Sequence, residues 1–173
     1  MPLTLLPATS PERRVRCIVI RKAVFVEEQG YTQLIEDNRP DDDIAIHFLL
    51  INGDDHAASL PDLSPLGTVR LFLQPPTTLN DTSRITTPPT TIYFISRLAL
   101  LPQFRGNGTG AQFVRLLEEW IFEQVEVGRC VVSLDAQRGT YGFYEKIGYV
   151  RESEEFLKEE KIPHINMRKV LRE

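Results

Sequence analysis

The sequence predicts a mixed α/β fold, and three observations carry that expectation. Short apolar runs recur at residues 45–52, 67–74, 91–101 and 130–134, each of strand length. A glycine-rich turn, Arg105-Gly106-Asn107-Gly108-Thr109-Gly110, joins the third run to a stretch of helical apolar spacing. Strand, turn, helix and strand then make a crossover unit at 91–136, whose connection should be right-handed. The 173 residues suit one domain, and a domain of that size buries roughly 70% of the surface its unfolded chain exposes.

In chain order, residues 3–6 form a short apolar run expected as an edge strand. Ser10 before Pro11 has the form of an N-cap with proline at the first helical position. The run Val15-Arg16-Cys17-Ile18-Val19-Ile20 is rich in β-branched residues, so propensity leaves it open between strand and helix; a helix is the expectation. Acidic residues across 36–43 mark a solvated turn, where Asp41-Asp42-Asp43 would attract a cationic amine or simply stay hydrated. Residues 45–52 read as an apolar strand containing His47, followed by a loop over 54–65 and a strand over 67–74. Residues 75–90 are dominated by Pro and Thr and offer little to bury, which predicts a flexible hairpin connection inside the domain. After the 91–101 strand and the glycine turn, Phe113, Leu116, Leu117, Trp120 and Ile121 share a helix face, opposite Arg115, Glu118, Glu119 and Glu123. Gly128 is the expected stop for that helix. A short buried strand at 130–134, a short helix at 140–146 ended by Gly148, and two tail strands at 149–157 and 164–171 complete the reading.

Composition narrows the function classes. The net charge is −4 and no basic patch stands out, which argues against a nucleic-acid partner. Cys17 and Cys130 lie far apart in apolar segments and read as buried free thiols. No Cys/His cluster has zinc spacing, and no metal is expected. Residues 1–10 carry two prolines and no basic residue, unlike a secretory signal, and no apolar run approaches the ~20 residues that span a bilayer. A soluble chain with no membrane partner is expected, in the cytoplasm, with the nucleus left open.

The glycine turn carries the chemistry. A diphosphate needs converging backbone N–H donors with no side chains in the way, and Gly106, Gly108 and Gly110 permit that approach. The helix beginning near Gly108 aims its positive end at the anion, and Arg105 can add a charge-assisted contact. The turn lacks the Lys-Ser/Thr ending of a nucleotide-hydrolysing phosphate loop, and its glycines are too tightly spaced for a dinucleotide fingerprint. The alternative is a tight turn that binds nothing.

Residues 95–110, Ile-Ser-Arg-Leu-Ala-Leu-Leu-Pro-Gln-Phe-Arg-Gly-Asn-Gly-Thr-Gly, resemble the acetyl-CoA-binding core of the GNAT N-acetyltransferases. Phe143-Tyr144-Glu145-Lys146-Ile147-Gly148-Tyr149 is similar to their later helix-turn, whose tyrosine lies beside the CoA sulfur. Arg21, the Val24-to-Gly30 segment, the His47 strand, Ala136-Gln137, Glu155-Phe156 and Ile162-Pro163-His164-Ile165 further resemble the ElaA/YjcF-like branch. The similarity spans about residues 13–169 and departs at the 75–90 insertion and at Glu160-Lys161. It implies a single GNAT domain over 1–173, with a six- or seven-stranded mixed sheet splayed at the acyl-CoA site and flanked by helices. It also implies acetyl-CoA as co-substrate and an amine acceptor. Main-chain groups of Leu98, Ala99 and Leu100 would meet the acyl and pantetheine portion, and Arg105, Gly106, Asn107, Gly108, Thr109 and Gly110 would hold the diphosphate.

Acetyl transfer needs a neutral amine, a polarised thioester and a proton for the leaving thiolate. The resemblance assigns the last role to Tyr144, whose alternative is a core aromatic. Glu28 and His164 are candidates for the base, against a solvated helix-end carboxylate and a structural histidine. His47, Arg97 and Gln137 are acceptor-side candidates. For each a structural role stands beside the functional one: a hydrogen-bonded strand histidine, a solvent-face arginine and a strand-end cap. A water chain could replace any base. The leading expectation is an acetyl-CoA-dependent N-acetyltransferase acting on a primary amine, of a small molecule, by direct transfer. An aminosugar phosphate or a protein or peptide amine are enzyme alternatives, although Ser96 stands where aminosugar-phosphate enzymes carry an acidic residue. A non-catalytic acyl-CoA sensor is the alternative of another class. Exposed strand edges leave a homodimer possible.

Overall fold

The structure is a computed structural model that describes residues 2–32, 42, 44–53, 64–74, 90–158 and 161–173. Most of the expected 75–90 connection, most of the 54–65 loop and all of the 36–43 acidic segment except Asp42 lie outside the described residues. The chain forms two compact units, one of residues 1–71 and 96–117, the other of 72–95 and 118–173.

The first unit opens with strand β1 (Leu3–Pro7) and helix α1 (Pro11–Arg21). Ser10 is extended, and its side chain accepts from the Arg13 N–H, while Pro11 sits in the first turn, where a missing donor costs nothing. The β-branched run at 15–20 is helical, as expected. Its pattern explains why: Cys17 and Ile20 are buried one turn apart, while Val15, Ile18 and Val19 are exposed. From Lys22 to Glu28 the backbone continues as a π-helical turn, and the Gln29 N–H reaches the Val24 carbonyl at 3.1 Å. Val24 and Phe25 turn inward there, and Glu28 is left at the exposed end.

Strand β2 (Ile46–Asn52) pairs antiparallel with β1, Leu5 opposite Leu50, and with β3 (Gly67–Gln74), Leu49 opposite Thr68. Flanked on both edges and buried from His47 to Ile51, β2 reads as a continuous apolar run. Strand β4 (Thr90–Leu100) supplies residues to both units. Arg97 within it has φ of +50°, a left-handed conformation unusual for a non-glycine residue. The alternation that buries Tyr93 and Ile95 breaks beyond this point, and Ala99 and Leu100 are buried in succession.

In the second unit β4 runs parallel to β5 (Arg129–Gln137), in register from Thr90 opposite Arg129 to Ile95 opposite Leu134. β5 pairs antiparallel with β8 (Ile162–Arg172), from Cys130 opposite Arg172 to Gln137 opposite His164. The short strands β6 (Val150–Arg151) and β7 (Phe156–Lys158) also pair with β8. Helix α2 (Thr109–Gln124) follows the glycine turn, and α3 (Tyr141–Lys146) follows β5. Among the described residues eight strands take the order β1-β2-β3-β4-β5-β8-β6, with β7 beside β8. The fold is the expected mixed sheet flanked by helices.

Four local expectations need correction. The sheet has one strand more than seven because the 149–157 candidate is two short strands, β6 and β7, separated by residues 152–155. Helix α2 ends at Gln124, and Gly128, at φ of +95°, turns the chain into β5 instead of stopping the helix. β5 runs on to Gln137, since Asp135 and Gln137 fall on its less buried face and alternate with buried Ala136. Glu118 does not lie on a solvated face: it is buried, and its Oε2 accepts from Lys169 Nζ at 2.6 Å. No helix among the described residues is long and apolar enough to cross a membrane.

Candidate active site

The glycine turn follows a single turn of 3-10 helix at Pro102–Phe104 in the first unit. Gly106 and Gly108 adopt φ of +91° and +79°, which a side-chain-bearing residue reaches only with strain. A Cβ at either would meet nothing within 4 Å, so backbone conformation and not crowding selects glycine. Residues 105–108 are exposed, and α2 starts at Thr109, with the Gln112 N–H bonded to the Gly108 carbonyl at 3.0 Å. The first N–H groups of a helix have no intrahelical partner, so Gly108, Thr109 and Gly110 present donors to solvent. Asn107 sits between the two left-handed glycines.

Arg105 is more constrained than the sequence suggested. Its Nε donates to the Leu100 carbonyl at 2.8 Å, while Nη1 and Nη2 donate to Glu28 Oε1 and Oε2 at 2.6 and 2.8 Å. The structure thus brings Glu28, a base candidate, onto Arg105, a cofactor candidate. The guanidinium pulls the Glu28 carboxyl below its ordinary pKa, which makes it a weaker base. Leu98, Ala99 and Leu100 line the end of β4 beyond the Arg97 irregularity. Arg97 is half-buried, not on a solvent face, and its guanidinium lies 5.5 Å from the Phe25 ring centroid.

One residue here escaped sequence reasoning. Gly67, at the start of β3, faces the end of β4 so closely that a Cβ would stand 2.6 Å from the Ala99 carbonyl oxygen and 3.1 Å from Phe113 Cε1. A lone glycine before a strand gives no signal of this, because the neighbour is 32 residues away in sequence.

His47 lies in a buried polar cluster. Its Nδ1 accepts from Arg21 Nη2 at 2.8 Å, and its Nε2–H donates to the Asp42 carbonyl at 3.2 Å. Burial and the Arg21 charge lower its pKa to about 4, so the ring is neutral. Asp42 Oδ1 also receives Arg70 Nη1 at 2.9 Å, and Arg70 Nε donates to Ser96 Oγ at 3.1 Å. At this aspartate the hydrated-turn expectation is corrected: three arginines, Arg14, Arg21 and Arg70, come within 4.0 Å of its carboxylate.

In the second unit, Tyr144 projects from α3 and is 8% exposed. Phe143 and Tyr149 pack edge-on against its ring at 4.9 and 5.6 Å. Burial raises its phenol to about 12, so the hydroxyl keeps its proton and can donate. Gln137 and His164 are cross-strand partners at the β5–β8 end. The Gln137 carbonyl accepts from Thr140 N–H at 2.9 Å and Thr140 Oγ1 at 2.8 Å, a strand-end cap made by its main chain. His164 is buried beside Phe156, and its Nδ1–H donates to the Ile162 carbonyl at 2.8 Å. Among the described residues no group of three or more His, Cys, Asp or Glu could hold a metal ion.

Comparison with known proteins bears on this arrangement. The acetyltransferase (GNAT) domain family model matches residues 87–171, the stretch holding β4, the glycine turn, α2, β5, α3 and β8. A candidate acetyltransferase of Bacillus subtilis (strain 168) is 34% identical over 151 residues, 87% of this chain and 84% of the relative. A candidate N-acetyltransferase structure from Lactobacillus plantarum superposes with TM-score 0.72 at 24% identity, over 99% of each chain. Escherichia coli ElaA does so at 0.62 and 21%, over 97% of this chain and 98% of ElaA. An aminoglycoside 6'-N-acetyltransferase solved with coenzyme A matches at 0.64 and 16%, over 98% of this chain and 97% of that one. These solved structures share the fold, and the family match together with the Bacillus relative identifies the chain as a GNAT-family acyltransferase.

Proposed function

We propose that this chain, acting as one GNAT domain, transfers the acetyl group of acetyl-CoA directly to a primary amine of a small molecule. The observation that carries the reading is the glycine turn: two left-handed glycines and a helix start expose backbone donors at the end of β4. The aminoglycoside enzyme with the same fold was solved with coenzyme A, which supports CoA as a ligand for this fold. Residues 105–110 would hold the diphosphate, and main-chain groups of Leu98–Leu100 would meet pantetheine and the acyl carbonyl. The Leu100 carbonyl accepts from Arg105 Nε, and its oxygen has a second lone pair for another hydrogen bond.

In the reaction the amine nitrogen attacks the thioester carbon, a C–N bond forms, the C–S bond breaks, and the amine loses a proton. Tyr144, kept protonated by burial, donates to the developing thiolate. The base is one of two side chains, or a water chain in place of either. Glu28 would serve as the anchor or base for a cationic amine, and His164 is the second side-chain candidate. Arg97, His47 and Gln137 remain acceptor-side residues in this proposal, with His47 acting through Arg21 and not by direct contact.

Calorimetry with acetyl-CoA, followed by a free-thiol assay over an amine library, tests the reading. Binding and CoA release with at least one amine is the expected result. Tyr144→Phe should lose about 10²-fold in kcat while CoA affinity stays within about twofold. Binding with no turnover on any amine would instead favour an acyl-CoA sensor.

A further inference from the structure

We infer that Glu28 is an internal, displaceable occupant of the Arg105 guanidinium, and that CoA binds by exchanging its diphosphate for that carboxylate. The inference rests on the proposed contact between Arg105 and the diphosphate. A guanidinium offers five N–H groups in a planar fork, and paired donors are what a phosphate or carboxylate engages best. In Arg105 one N–H, Nε, is committed to the Leu100 carbonyl, which fixes the side chain against the end of β4. One N–H of each Nη is given to Glu28, one to each carboxylate oxygen, and the two N–H groups left over lie on opposite sides of the fork and form no second pair. The paired edge through which Arg105 would grip two phosphate oxygens is therefore filled by a group of similar shape and charge.

Filling is not the same as blocking. Arg105 and Glu28 side chains are 39% and 37% exposed, so water can hydrate the carboxylate as it leaves and the pair is cheap to part. A diphosphate cradled by the backbone donors of residues 106–110 would bring its own negative charge to the same edge. The two anions cannot share one edge, so Glu28 moves away. The Leu100 anchor on Nε lets the guanidinium stay in place while its partner changes. The exchange also gives the protein an order of events: the Glu28 carboxylate becomes free for a cationic amine only after the acyl donor has arrived.

A four-member cycle tests this by calorimetry with CoA itself: the unmodified protein, Glu28→Gln, Arg105→Gln and the double variant. Both side chains are exposed, and circular dichroism confirms that each variant folds. Glu28→Gln should tighten CoA binding by roughly two- to fivefold, the range a well-formed exposed pair supports. In the Arg105→Gln background the same change should do nothing. Removal of a negative charge near an anionic ligand would by itself tighten binding in both backgrounds, and that outcome overturns the exchange. Unchanged or weaker binding by Glu28→Gln overturns it too. If no member binds CoA, the failure lies earlier, in the CoA-binding reading itself.

Discussion

His47 accepts a hydrogen bond from one charged neighbour and donates another to a main-chain carbonyl, and the accepting contact requires the neutral ring. Its pKa of about 4 in the folded protein, against 6.5 for a free histidine, means the unfolded chain takes up a proton first as pH falls. This contribution is complete above the unfolded value, shrinks as pH drops through the window between the two, and levels off below about 4. Urea unfolding at about pH 7 and about pH 4.5 should show stability falling toward acid. His47→Gln, which keeps an acceptor and a donor, should show a shallower fall; an equal slope would remove His47 as the source. A hydrogen-bonded strand histidine was legible beforehand, but its partners were not. A histidine in an apolar run announces burial, but its partners Arg21 and Asp42 come from other elements, and three adjacent aspartates look hydrated until one meets three arginines. Glu118 escaped for the same reason, since Lys169 lies 51 residues away. Arg105 was legible as a cation beside an anion turn, but its carboxylate partner, 77 residues distant, was not.

Elements were more legible than contacts, because periodicity and turn chemistry are local. The proline-capped start of α1, the glycine turn before α2 and the apolar β2 each carried their own signal. Boundaries were less so: β6 and β7 are defined by what pairs with β8, and no residue within 149–157 states where that pairing lapses. The contact between β3 and β4 at Gly67 gives the element-scale prediction. Gly67→Ala would push a methyl group against the Ala99 carbonyl, a backbone atom that cannot swing aside. Stability should fall by about 1–3 kcal/mol in chemical denaturation, the usual cost of overpacking. CoA affinity should fall as well, since the displaced segment carries the main-chain groups proposed for pantetheine. A stable variant with unchanged CoA affinity would show that β4 has room to shift.

For the molecule as a whole, covalent cross-links play no part among the described residues: Cys17 and Cys130 are both free and both fully buried. Burial raises each thiol above its ordinary pKa and withholds the reactive thiolate. A thiol reagent should therefore label neither cysteine rapidly in the native protein and both in denaturant. Reductant should leave the melting temperature unchanged. Rapid labelling of one site under native conditions would reveal local opening of the unit that holds it. Fold class followed from the order of strands, glycine turn and helix, and the family from the resemblance of residues 95–110 and 143–149, whereas the acceptor side depends on side chains gathered from segments remote in sequence.

The position of β8 has a consequence for how the chain is made. It is the last of these elements to leave the ribosome, yet it lies between β5 and β6 in the strand order and also receives β7. Until it is synthesised, one edge of β5 has no partner, and the apolar residues Val131, Val132 and Leu134 stand on an open ladder. The second unit thus completes its fold late, with a nascent stage exposed to strand-edge association.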